Sequence, residues 1–238
     1  MYDHGPVLVD PTIYLIFWGY KEYGDPDGVK KLLTAYTKNM GGSGHNNIYT
    51  QYYEVVDSQT TYITNPAHQL GGVWDDDSAV PKSPSDEEIG QEAIKSLSHF
   101  KYDTNGLYVV ATPHDHSEAG FGAHWCSYHS YTYYESNMLL PYANLPYMPD
   151  AGKECGKGFI KPPAGESAAD EGITILAGHE YGEAITDPQP LTGWNGVSGE
   201  IGDYCAWHNI ANIKFGKALY TTQPMLSDKT ETCVQTYK

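Results

Sequence analysis

Residues 173–188 read ITILAGHEYGEAITDP, and taking this stretch as one helix decides what the rest of the chain must build. Ile173, Leu176, Ala177, Ala184 and Ile185 recur at helical spacing and predict an apolar strip that seats on a sheet. Ser167 and Asp170 are expected to cap the N-terminus, where Asp170 and Glu171 also complement the helix dipole. Pro188 forbids continuation. Gly178 and Gly182 each cost about 1 kcal/mol in a helix, so they argue that another part of the chain comes close there.

In such a helix His179 and Glu183 lie four residues apart on one face. This is the His-Glu-x-x-His pattern of zinc hydrolases with Glu in place of the second His. Glu180, about 100° round the helix from His179, is then placed to take a proton from a water as general base. Hydrolytic zinc needs a third protein ligand, and Asp187, Glu200 and Asp203 are the candidates downstream. Asp203 follows Glu183 by 20 residues in GEIGDYCAW (199–207), the spacing between second and third ligands of thermolysin-like zinc peptidases. The expected set is His179, Glu183 and Asp203, with Glu200 as supporting partner or substitute; Asp187 could instead cap or turn the chain. Two carboxylates and one imidazole neutralise the charge of zinc, so a bound water is less acidified than the usual pKa of about 7. Such a set also accepts harder divalent ions. The bland alternative is a capped acidic helix with a surface histidine; the glycines and the second acidic motif weigh against it.

The 238 residues carry a net charge of −16, and every cationic side chain is a lysine. Nucleic acid is excluded as a partner, because its binding needs a basic surface that displaces counterions. No apolar run reaches the roughly 18 residues of a membrane span. Met1 is followed at once by Tyr, Asp and His, so the expectation is a chain whose leader has been removed. The length suits one domain, 1–238, with 1–165 and 166–238 as conceivable lobes. The 21 tyrosines suit half-exposed sheet faces or a ligand cleft, packing being the simpler account.

Along the chain, Val7–Val9 and the near-continuous apolar run Thr12–Trp18 read as strands, the second buried and central. Val29–Met40 has Leu32, Leu33 and Tyr36 at helical spacing and stops at Gly41-Gly42. Tyr49–Val56 and Thr60–Ile63 read as strands, and 65–84 as loop. Within that loop Asp75, Asp76 and Asp77 repel one another; a bound Ca²⁺ would relieve them, as would plain solvation. Ser85 and Glu88 form a capping box for a helix whose buried stripe is Ile89, Ala93, Ile94, Leu97 and Phe100. Gly106–Thr112 is a second strong strand; Tyr131–Tyr134 and Asn144–Met148 read as edge strands.

Four histidines cluster in 113–130. His114 and His116 would point the same way from an extended segment, as two ligands might, although a polar loop is the simpler reading. His129, in WCSYHS, is the residue expected to reach the main site and hydrogen-bond a substrate oxyanion. Cys126, Cys155, Cys205 and Cys233 form no CxxC pair. Three disulfide pairings are open, the economical one being Cys126–Cys155 with Cys205–Cys233; four buried thiols are the alternative for a reducing compartment.

GPVLVDPTIYLIFWG (5–19), WCSYHS (125–130), HEYGEAITDP, GEIGDYCAW and QPMLSDKTETC (223–233) together resemble the phosphate-induced, EXORDIUM-like family. The resemblance is nearest to bacterial and fungal members that carry the His-Glu-x-x-Glu helix and look like secreted metallopeptidases. Plant members lack equivalents of His179, Glu180 and Glu183 and act as extracellular growth-associated proteins. The resemblance implies secretion, and because this chain lacks a second cysteine shortly before Cys126, it favours Cys155 as partner of Cys126. The expected fold is α/β (α+β), a mixed twisted sheet with packed helices, a zincin-like active-site helix, and a cleft between that helix and the segment His114–His129. The expected function is a secreted, monomeric, Zn²⁺-dependent endopeptidase acting on a protein or peptide. The alternative is a non-catalytic extracellular module binding cell-wall or carbohydrate ligands through its tyrosines.

Overall fold

The computed structural model describes residues 1–196 and 199–238. Its main elements are β1 (Thr12–Trp18), α1 (Val29–Met40), β2 (Leu70–Asp76), α2 (Asp86–Lys95), β3 (Gly106–Ala111), β4 (Tyr128–Tyr134), β5 (Met138–Leu145), α3 (Glu171–Thr186), β6 (Ala211–Phe215) and β7 (Ala218–Thr222). Five strands form one mixed sheet in the order β2-β1-β3-β5-β4. All neighbours are parallel except β4, which runs antiparallel to β5 along one edge.

β1 sits between two strands, and its alternation explains why it reads as unbroken apolar sequence. Ile13, Leu15 and Phe17 point into one layer with Leu33, Tyr36 and Met40 of α1 and the apolar residues of α3. Ile16 and Trp18 point into the other, against Ile89 and Ala93 of α2. Successive strand side chains take opposite faces, so a sheet covered on both sides needs apolar residues at every position. The α2 capping box forms as expected: Glu88 N–H donates to Ser85 Oγ, and Ser85 N–H donates to the Glu88 carboxylate.

Several expectations change. Val7–Val9 is not a strand, and Asn46–Gln51 is a 3₁₀ turn, so only Tyr53–Val56 of that segment is extended. The segment 65–84 contains β2, hidden in the sequence by Gly71-Gly72 and the acidic run. The side chain of Thr12 and the ring of Tyr14 crowd the position of a Gly71 Cβ, and the Phe100 ring that of Gly72. Asp75, Asp76 and Asp77 are each paired with a different lysine, Lys30, Lys95 and Lys21 respectively. Those ammonium groups supply the countercharge that a bound Ca²⁺ would otherwise provide. β5 is interior rather than an edge; Pro141 is tolerated because β3 pairs only with Tyr142–Leu145.

α3 is buried almost all round, every residue but His179, rather than along a single strip. It lies between the sheet, α1 and the β6–β7 hairpin. A Cβ at Gly178 would stand 2.5 Å from Tyr36 Oη, and one at Gly182 2.9 Å from Tyr49 Oη. Polar ties complete the seat: Thr174 Oγ1 donates to Thr221 O at 2.6 Å, and Tyr181 Oη lies 3.1 Å from Thr37 Oγ1. Cys126–Cys155 and Cys205–Cys233 are bonded, which fits the economical pairing and an oxidising environment. Among the described residues no helix is long and apolar enough to cross a membrane.

One buried histidine makes stability depend on pH. His45 is almost fully buried and shares a 2.9 Å hydrogen bond between Nδ1 and Gln235 O. Burial pushes its pKa from 6.5 down to about 4. Between those values the unfolded chain holds the extra proton, so stability falls as pH drops from about 6.5 towards 4. The loss attributable to this ring is about 2 kcal/mol by pH 4.5. Denaturant unfolding at pH 7 and 4.5 should show that increment in the wild type and not in His45→Phe.

Candidate metal centre

Two motifs far apart in the chain meet at the solvent-facing side of α3. The loop after the helix returns through Gly202, whose missing side chain is what permits the approach: a Cβ there would lie 2.9 Å from Glu183 Oε1 and 3.0 Å from His179 Nδ1. Asp203 N–H donates to Glu183 Oε1 at 2.8 Å. His179 Nε2 then stands 3.1 Å from Glu183 Oε2 and 3.6 Å from Asp203 Oδ1. Cys205–Cys233 anchors this loop to the C-terminal hairpin.

From the other side, the segment entering β4 supplies two residues. Ser127 and His129 are two apart on extended chain and reach the same way. Ser127 Oγ donates to Glu180 Oε1 at 2.5 Å. His129 Nδ1 lies 3.5 Å from Glu180 Oε2 and 3.6 Å from Glu183 Oε2, while Nε2 lies 3.1 Å from Asp187 O and 3.4 Å from Glu200 Oε1. Both ring nitrogens therefore face protein acceptors, which leaves neither for a substrate oxyanion as the sequence suggested. His129 holds the carboxylates of Glu180, Glu183 and Glu200 together, and Glu200 supports the site through it.

Charge is crowded. Burial alone would lower the pKa of His129, but Glu180, Glu200 and Glu183 reverse this and hold it well above the usual imidazole range. His179, likewise opposed by burial, is pushed up to about 10 by Glu183, Glu180 and Asp203. Burial raises Glu200 to about 7 against the pull of His129, and burial together with Glu183 raises Asp203. Protonated rings thus stand in as countercharges for an acidic pocket.

The donor set fits a divalent ion. One atom each of His179, Glu183 and Asp203 lies within 4.8 Å of the others, and the two spacings of 3.1 and 3.6 Å bracket the edge of a tetrahedron with bonds near 2.1 Å, about 3.4 Å. Among the described residues the buried Glu180 Oε2 and Glu200 Oε1 have no hydrogen-bond partner. The adjoining cleft, about 320 Å³, is lined by Trp125, Cys126, Glu154, Glu180, Trp207 and Gln223 among others. A second group, His129 with Glu180 and Glu183, has comparable spacing and shares Glu183 with the first.

Gln223 qualifies the fit. Its Nε2 lies 3.0 Å from both His179 Nδ1 and Gly202 O, an orientation that suits only a ring without a proton on Nδ1. Metal binding at Nε2 requires the amide to turn over, so that its oxygen accepts from Nδ1–H at the expense of the Gly202 contact.

The remaining expectations sort clearly. Asp187 is no ligand: its carboxylate accepts from the N–H groups of Leu191, Thr192 and Gly193 and turns the chain after α3. Asp170 sits at the helix start without capping it by a side-chain bond, and Ser167 Oγ accepts from Ala169 N–H instead. His124 lines the cleft. His116 turns inward, its ring 3.9 Å from that of Tyr23, so His114 and His116 do not form a pair. Sequence reading missed Ser127 and Gln223; the two-residue offset from His129 pointed to Ser127, whereas nothing local marks Gln223.

No family model and no solved structure matches the chain. A search of curated proteins finds similarity to Protein EXORDIUM-like 5 of Arabidopsis thaliana, 28% identical over 141 residues. The match covers 50% of this chain but only 38% of that relative. Its name mentions no peptidase, so the comparison supports the EXORDIUM-like resemblance and lends nothing to a zinc-peptidase branch.

Proposed function

We propose that this is an extracellular EXORDIUM-like protein whose central helix holds a divalent metal, and that the centre is a zincin-like, zinc-dependent endopeptidase. The observation that carries the reading is the convergence of His179 Nε2, Glu183 Oε2 and Asp203 Oδ1 beside an open cleft that the Glu180 carboxylate also lines. Zinc held there would polarise a peptide carbonyl and acidify water. Glu180 takes up the proton at Oε2, while Ser127 fixes Oε1 and so the orientation of the carboxylate. Burial of Glu180 and Glu183 keeps these charges in low dielectric, where they act strongly. Gln223 and Asp203 set the angle of the His179 ring.

The second reading is a non-catalytic extracellular module with a structural metal. The similarity to EXORDIUM-like 5 favours it; the Glu180 carboxylate lining the same cleft as His179 and Asp203 favours the first. Metal analysis of the purified protein with casein hydrolysis, before and after chelation, separates them. One zinc per chain and hydrolysis lost on chelation and restored by zinc is the expected result. Bound metal without hydrolysis of casein assigns the protein to the second reading.

A further inference from the structure

The cleft at α3 has an acidic and aromatic lining that the metal centre does not account for. Trp125, Glu154 and Trp207 line it together with His179, Glu180 and Asp203, and no lysine does. Once a divalent ion is held, Glu183 and Asp203 balance its charge, and Glu180 faces the His129 ring at 3.5 Å. Glu154 is left without a counterpart. It is exposed, and its carboxylate takes part in no ion pair or hydrogen bond among the described residues. The lysines that do pair, Lys21, Lys30 and Lys95, are bonded to Asp75, Asp76, Asp77 and Glu92.

The two indoles are held in place. Cys126–Cys155 joins the chain neighbours of Trp125 and Glu154, so one bridge sets an indole and a carboxylate in the same lining. Trp125 also packs on Tyr128, ring to ring at 5.3 Å, and its Nε1–H donates to Ala119 O at 3.3 Å. Trp207 follows Cys205 of the other bridge by two residues and has a φ of 60°, a left-handed conformation that bulky residues rarely adopt. Such strain persists where the surroundings over-determine it, commonly at ligand clamps. Here the Phe159 ring lies 5.5 Å from the indole, and His208 N–H donates to Cys205 O at 3.2 Å. An indole face attracts a cation, and an unpaired carboxylate beside it completes a receptor for one. Lysine and arginine also lay an apolar stem along such a surface. The volume of about 320 Å³ is at the small end of ligand pockets, which suits one long side chain better than a run of sugars.

We propose that the cleft takes a lysine or arginine side chain of a peptide, with the cationic head on Glu154 and the stem against Trp125 and Trp207. That this peptide is a substrate, cut close to the basic residue, rests on the endopeptidase reading; the preference for the cation does not. Binding is measured on the full-length Glu180→Gln protein with zinc by tryptophan fluorescence. The probes are glycine-alanine octapeptides carrying lysine, norleucine or glutamate at one central position. The lysine peptide should bind about tenfold more tightly than the norleucine peptide, as an exposed cation–π contact and an exposed ion pair together provide. Glutamate should bind most weakly. Adding Glu154→Gln should bring lysine and norleucine within about twofold, and Glu154→Lys should place glutamate ahead of lysine. Glu154 is exposed, so neither substitution disturbs packing. Equal affinity for lysine and norleucine, a preference that survives Glu154→Gln, or tighter binding of cellohexaose than of the lysine peptide would each overturn the proposal. The same peptides given to the wild type keep the two readings apart. Selective binding without cleavage removes the endopeptidase and leaves the cation pocket, whereas cleavage without selection removes the pocket and leaves the endopeptidase.

Discussion

Glu180→Gln is expected to abolish peptide hydrolysis while leaving metal content and folding unchanged. The amide keeps the size of the carboxylate, and its oxygen can still accept the 2.5 Å hydrogen bond from Ser127. It cannot take up a proton at the position of Oε2, which faces His129 Nδ1 at 3.5 Å and makes no hydrogen bond among the described residues. General-base catalysis contributes about 10²–10⁴-fold, so turnover on casein should fall by at least about a hundredfold. His179, Glu183 and Asp203 are untouched, so zinc measured on the purified variant should match the wild type. Turnover within tenfold of wild type would remove Glu180 from the role of base. Ser127→Ala tests the same geometry more gently, since it frees the carboxylate to rotate without removing it.

Replacing Cys126 and Cys155 together by serine carries the second large effect, on stability. The bridge spans 29 residues, and opening a loop of that length restores chain entropy worth about 3–4 kcal/mol to the unfolded state. The bridge also holds the chain just ahead of Ser127 and His129, so activity should fall further than the fraction unfolded explains. Denaturant unfolding gives the first quantity and turnover per folded molecule the second. A loss under about 1 kcal/mol would show that β4 is held by its pairing with β5 alone. The 28-residue Cys205–Cys233 bridge offers a control of nearly equal entropy: its removal should cost similar stability but act on metal affinity, because it anchors Asp203 rather than Ser127.

These outcomes depend on contacts of very different legibility. The capping box at Ser85, the unbroken apolar run of β1, the end of α3 before Pro188 and the economical cysteine pairing could all be read from the sequence. The first three rest on periodicity or caps within one or two turns of chain, and the cysteine pairing on the shortness of its loops, 29 and 28 residues. His179 and Glu183 belong to the same class, since four residues of helix place them side by side whatever surrounds them. The choice of Asp203 rests on a 20-residue offset matching the ligand spacing of thermolysin-like zinc peptidases, and the approach of Gly202 to the helix brings that residue within reach of His179.

What the sequence determined by itself, then, was the identity of the helix and its chemical face. Only the tertiary structure decided which distant groups meet that face. Ser127 bonds a residue 53 positions away, Gln223 one 44 away, and His129 touches Asp187 across 58. It also decided that β2 is a strand despite its glycines and aspartates, and that three separate lysines answer the acidic run. Contacts at such separations are set by sheet order and by packing on both faces of α3. Those depend on the summed burial of many side chains, and no local pattern records the sum.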